Sequence, residues 1–180
     1  LSKANLTRAT LDWADLSFAD LSEASLSQAE LNEANLRGAN LREVDLNFAR
    51  LNEADLSRAN LHRATLGFAD LSGANLSQTN LSGANLNQSG LAGANLCSAK
   101  LKGANLSDTD LSHANLHEAN LCNADFSRAI FFEADLSGSD ISGANITDAN
   151  LSRWKIEGIK CAHIMKNNKR IVYANPNDFE

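Results

Sequence analysis

Residues 34–58 read ANLRG ANLRE VDLNF ARLNE ADLSR, five units of five residues with leucine third in every unit. The phase extends in both directions. Leucine occupies position 1 and every fifth position through Leu121, and the series continues as Phe126, Phe131, Leu136, Ile141, Ile146 and Leu151. Two residues before each of these stands a small side chain: across positions 4 to 149 it is Ala in 25 of 30 cases, with Val44, Thr79, Ser89, Thr109 and Ser139 as exceptions. Between the small residue and the leucine, Asn or Asp fills 22 of 30 positions.

A period of five suits neither common element. On an α-helix five residues turn about 500°, so successive leucines would spiral around the rod and form no stripe. On a straight strand, side chains alternate with period two and leucines five apart would fall on opposite faces. Every leucine stays inside only if the chain turns once per repeat. Asn and Asp suit that corner, because they form local side-chain hydrogen bonds and tolerate unusual backbone angles. Short straight pieces joined by regular corners make an all-β solenoid. Its coils stack at about 4.8 Å, leucine on leucine and alanine on alanine. Each buried leucine contributes roughly 1.5–3 kcal/mol, most of which is cancelled by ordering the backbone.

The unit Ala34-Asn35-Leu36-Arg37-Gly38, repeated as Ala54-Asp55-Leu56-Ser57-Arg58, resembles that of the pentapeptide-repeat family, and the likeness covers residues 1–153. The resemblance implies a right-handed quadrilateral β-helix with four repeats, or about 20 residues, per coil. Residues 1–153 would then form about 7–8 coils, roughly 36 Å long at strand spacing. The phase fails at Trp154-Lys155-Ile156, so residues 154–180 are expected to form a short C-terminal cap. Within it, Ile159 to Met165 and Arg170 to Ala174 read as two short strands around the turn Lys166-Asn167-Asn168-Lys169. An open solenoid end exposes leucines and unpaired backbone, which gives the cap its purpose. The N-terminal end shows no such cap and is expected either to have been trimmed or to meet another molecule.

Composition narrows the function classes. Residues 1–150 carry 19 Asp and Glu against 10 Lys and Arg, a net of −9, whereas residues 151–180 carry 3 against 6, a net of +3. Three cysteines, Cys97, Cys122 and Cys161, are an odd number without metal-site spacing and imply no disulfide framework. No apolar run approaches membrane-spanning length, so the chain is expected to be soluble, with the cytoplasm as the default compartment. Leu1 already stands in phase with the repeat, which leaves any targeting signal unread.

Catalytic signatures are wanting. The sequence holds no Gly-rich phosphate loop and no nucleophile elbow. Residues 20 apart would lie one coil apart, which puts Cys97 beside His117 and Cys122 beside Lys102. A Cys–His contact could make a reactive thiolate or half a metal site, but no third ligand accompanies it. Glu33 and Glu53 pair one coil apart on a convex face, without the desolvation that shifts acidity. The expectation is a protein that is not an enzyme, with no cofactor and no metal.

The outward positions say more. Four of the residues two after a leucine are large aromatics: Trp13, Phe18, Phe48 and Phe68. Phe48 and Phe68 are 20 apart and should stack, with Phe18 on the opposite face. An exposed aromatic pair either anchors a partner or stiffens the surface. Residues 71–99 contain no charged side chain, a neutral belt that is either a docking band or a plain stretch of repeats.

Two function classes follow. One is a non-catalytic structural or protein-interaction rod, with a protein as partner. The other comes from the resemblance: some family members imitate duplex DNA and act on DNA gyrase, and these are acidic rods that dimerise through the C-terminal end. This chain departs from them in its neutral belt, in Arg37, Arg42, Arg50, Arg58 and Arg63 among the acids, and in its basic tail. Direct nucleic-acid binding is not expected, because the basic tail is short and the acidic body repels phosphate. End-to-end or C-terminal self-association is the other partner reading.

Overall fold

The computed structural model describes residues 1–167 and 169–172. From Leu1 to Lys160 the backbone repeats one five-residue motif, and from Asn5 to Asn145 every fifth residue forms a parallel bridge to the residue 20 later. The series is unbroken from Asn5 with Ser25 to Asn145 with Met165. Each coil therefore spans twenty residues, and residues twenty apart form columns along the rod.

Backbone polarity accounts for the repeat. In the first coil, the Leu6 N–H donates to the Ser25 carbonyl (2.7 Å) and the Ser25 N–H donates back to the Ala4 carbonyl (2.9 Å). The Lys3 N–H donates to Ser22 O (2.8 Å) in the next coil, and the Ala4 N–H closes the corner on Leu1 O (3.0 Å). Four of the five amides in a repeat thus have backbone acceptors. The fifth, on the residue after leucine, has none. It is served by the Asn or Asp side chain two positions earlier, as when Ser17 N–H donates to Asp15 Oδ1 (3.0 Å) or Ser57 N–H to Asp55 Oδ1 (2.9 Å). At two corners without Asn or Asp an acceptor from the coil below takes its place: Asn32 N–H donates to Asp12 Oδ1 (2.8 Å), and Gly67 N–H to Asn47 Oδ1 (2.8 Å). Buried amides go unpaired only at high cost, so this requirement sets the composition of the corner.

One expectation is corrected here. The left-handed residue of each corner is not the Asn or Asp but the residue two after leucine. It has positive φ in all thirty-two repeats from Lys3 to Gly158, as the third residue of a type II turn requires. Eight of these residues are glycine; the rest include Lys, Arg, Trp, Phe, Glu and Gln, but never Val, Ile or Thr. Branching at Cβ makes that conformation costly, and the sequence avoids it.

Leucines from Leu21 to Leu136 are buried, and the alanine columns lie beside them. Three of the four polar substitutes in those columns are satisfied by leucine carbonyls, whereas the buried Ser139 hydroxyl has no hydrogen-bond partner. Thr79 Oγ1 donates to Leu76 O and Leu56 O, Ser89 Oγ to Leu86 O (2.7 Å), and Thr109 Oγ1 to Leu86 O (3.1 Å). Toward the C-terminal end Phe126 and Phe131 replace leucine and pack edge to face, with ring centroids 5.1 Å apart.

The repeat runs past residue 153. Corner and bridge continue through Lys160, and Lys155, Lys160 and Met165 bridge Asp135, Asp140 and Asn145 in the twenty-residue register. That register is carried by main-chain bonds such as Lys155 N–H to Ala134 O (2.8 Å), which no side-chain pattern need announce. Trp154 takes the place of alanine above Ala134 and rests on Phe131 at 6.0 Å. A hairpin follows, β1 (His163–Lys166) antiparallel to β2 (Lys169–Val172), with Ile164 buried and paired with Ile171. Its first strand is shorter than the expected 159–165, because Ile159 and Lys160 still belong to a coil. Tyr173 and Ala174 lie outside the described residues.

Candidate interaction surface

The positive-φ corner throws its side chain outward, and columns of such residues run along the edges of the rod. Phe48 and Phe68 occupy one edge. Their rings stack with centroids 4.9 Å apart and planes 6° from parallel, the spacing set by the coils beneath. Both are about half exposed, 54% and 48%. Rings stacked along the axis turn their edges to solvent. An aromatic edge carries partial positive charge and suits the face of another ring or an acceptor oxygen.

Above and below the pair the column is polar. Arg8 Nε donates to Gln28 Oε1 (2.8 Å) on one side, and Arg128 Nε donates to Asp108 Oδ1 (2.6 Å) beyond Gln88 on the other. The guanidinium beside Asp108 holds its carboxyl below the usual range. Next to Phe68, burial pushes the Asp70 carboxyl up, but donors on Ser72 and Asn52 and the charge of Arg50 outweigh it and leave the group below its ordinary value.

Trp13 and Phe18 are still more exposed, at 72% and 76%. Phe18 stands half a coil from the Phe48 column and lies over Gly38, where an added Cβ would sit 2.7 Å from the ring and require it to shift. The four aromatics thus separate into one stacked pair and two residues on other edges.

A second cluster escaped the sequence reading. Phe132 packs edge to face with His113 at 5.5 Å and lies under the Arg153 guanidinium at 5.7 Å, while Glu133 accepts from Arg153 Nη1 (2.9 Å) and faces His113 Nδ1 (3.4 Å). Ile130, beside it, is 41% exposed. The signal was available: Ile130 is the one aliphatic residue among the thirty positions, 5 to 150, that precede the leucine, 22 of which are Asn or Asp.

The reactive groups form no centre. The register places Cys97 one coil below His117, and the Cys97 sulfur lies 3.7 Å from Ser98 Oγ. Burial pushes the Cys122 and Cys161 thiols up, helped in both by the Asp140 carboxylate. Among the described residues no group of three or more His, Cys, Asp or Glu is arranged to hold a metal ion, and no helix is long and apolar enough to cross a membrane.

The sequence profile of pentapeptide repeats, in 8 copies, matches residues 19–58, 39–78, 59–89, 89–128 and 114–153. Among solved structures, the chain is similar to HetL, a pentapeptide repeat protein involved in heterocyst differentiation regulation in the cyanobacterium Nostoc sp. strain PCC 7120: identity is 31%, coverage 95% of this chain and 92% of HetL, and the TM-score 0.57. It is also similar to Rfr23 from the cyanobacterium Cyanothece 51142, at 40% identity over 48% of this chain and 59% of that one, with a TM-score of 0.48. QnrB1, a plasmid-mediated fluoroquinolone resistance protein, aligns at 18% identity over 88% of this chain and 89% of its own, with a TM-score of 0.47. Comparison with curated protein sequences gave no match. The chain belongs to the pentapeptide-repeat family and shares its right-handed β-helix.

Proposed function

We propose that this protein is a non-catalytic interaction rod that binds a protein partner through the Phe48–Phe68 edge, with Trp13 and Phe18 as further contacts on other edges. In finer detail the rod is a quadrilateral β-helix of seven to eight coils, with residues 154–180 completing and closing its C-terminal end. The observation that carries the reading is the stacked pair itself: two parallel, half-exposed rings in the middle of the rod, where the neighbouring coils are present on both sides. Aromatic side chains held rigid at low entropy cost are the residues that dominate binding energy at interfaces. HetL, described as involved in regulation, is in keeping with a binding role.

Imitation of DNA toward gyrase draws on the −9 charge of residues 1–150. Against it stands the axial pairing of opposite charges, Lys3 with Glu23, Asp108 with Arg128 and Glu133 with Arg153, which breaks the continuous negative field such a mimic needs. The test is affinity capture from a lysate of the source organism, comparing wild type with Phe48→Ser/Phe68→Ser. Serine is at home at this corner, as Ser98 shows. A partner held by the wild type and lost by the variant is the expected result; identical captures from both would overturn it.

A further inference from the structure

We infer that the Phe48–Phe68 edge docks a second copy of this chain, side by side and antiparallel. The inference rests on the reading of that pair as an anchor and names its partner.

Residues twenty apart share a column, and the column along this edge reads Arg8, Gln28, Phe48, Phe68, Gln88, Asp108. About the point midway between the two rings the order is self-complementary. Turned end for end, Phe48 meets Phe68, Gln28 meets Gln88, and Arg8 meets Asp108. Two antiparallel rods related by a two-fold axis across their length oppose every column to its own reversed copy, the isologous contact of a closed dimer. The exposed rings of the two copies then meet in a four-ring cluster that removes aromatic surface of both from water. Asp108, already bonded to Arg128, gains Arg8 of the second copy as a further cation.

The adjoining column agrees. In the next outward column the same two-fold sets Arg50 opposite Asp70, and Glu30 opposite Gly90. In these two columns no two carboxylates, and no two of Lys and Arg, oppose each other. The charge-free belt at residues 71–99 is what makes this so, because it is the part of the rod that the acid-bearing lower coils face. A parallel pair would do the reverse, setting Arg50 against Arg50 and Asp108 against Asp108, and such like-charge opposition selects against that arrangement.

The experiment is sedimentation velocity on the purified chain at concentrations up to roughly 500 μM, where even a weak dimer is populated. Four variants accompany wild type: Phe48→Ser/Phe68→Ser, Arg8→Asp, Asp108→Arg, and the exchange Arg8→Asp/Asp108→Arg. The expected result is a wild-type dimer that dissociates in the aromatic variant. Each single charge reversal weakens it by about tenfold or more, since each places like charges together twice, and the exchange restores it. Arg8 and Asp108 are surface residues, so the charge series stands even if the aromatic variant folds poorly. A wild type monomeric throughout, a dimer indifferent to the aromatic variant, or an exchange that fails to restore association would each overturn the inference. A monomeric wild type whose lysate partner still depends on Phe48 and Phe68 would sink the self-docking alone and leave the interaction-rod reading standing.

Discussion

The residue two after each leucine carries the strain of the fold. An L-residue in the left-handed conformation costs roughly 1–2 kcal/mol, and most corners carry one. At Gly93, φ is +68° and an added Cβ would meet nothing within 4 Å, so substitution there isolates the backbone contribution from any clash. Gly93→Val is expected to destabilise by about 1–2 kcal/mol, and Gly93→Asn by clearly less, as chemical denaturation would show. A second single-residue test concerns the corner amide. Asp55 accepts the N–H of Ser57, which is itself buried. Asp55→Ala leaves that donor without its acceptor and is expected to cost about 1–3 kcal/mol. Asp55→Asn keeps the oxygen and should cost little by the same denaturation assay. The Asn/Asp preference was legible in the sequence, and its hydrogen bond was anticipated. Its backbone angle was not, because a pattern of identities shows that a corner exists without showing which of its residues takes positive φ.

At the scale of elements, the coil and its closure differ in how openly the sequence declares them. Leucine every fifth residue dictates turning once per repeat, and the bridges follow that phase without a slip. The last coil was hidden because Trp154 and Lys155 replace Ala and Asn while the main chain keeps its register. Small residues are demanded only where another coil stacks tightly on both sides, and in the alanine columns Trp154 follows Ala134 where that demand relaxes. The Phe126–Phe131–Trp154 cluster then fills the interior toward the end of the rod. Phe131→Ala is expected to destabilise by about 3–5 kcal/mol through the cavity it leaves. Phe131→Leu restores the ordinary core residue and should cost less, a ranking that thermal unfolding can read. The Ile130–Phe132 cluster is not marked by the corner position two after leucine, because these residues stand one before and one after the core residue Phe131.

For the whole molecule, the carboxylates set the response to acid. The carboxyls of Asp15, Asp20, Asp108 and Asp135 are held below their ordinary value, in each case first by a side-chain hydrogen bond. For Asp70 and Asp140 burial acts in the opposite sense and is outweighed. A group whose folded pKa is depressed contributes stability that is fully present above its unfolded value, about 3.9 for Asp, and lost as pH falls through its folded value. The unfolding temperature is therefore expected to stay level from neutrality down to about pH 5 and to fall below about pH 4. A rise on acidification would contradict the assignment. Rod, acidic body and aromatic edge are all properties of the column arrangement, and every statement about the surface depends on residues twenty apart being neighbours. The most direct measurement of that register is disulfide trapping in Phe48→Cys/Phe68→Cys, with Phe48→Cys/Arg58→Cys, half a coil out of register, as control. Neighbouring coils lie within the Cα separation a disulfide accepts, about 4.4–6.8 Å. The predicted result is ready closure of the link between positions 48 and 68, mapped by mass spectrometry, and none between 48 and 58. Closure in the control, or failure in the first pair, would contradict the twenty-residue coil.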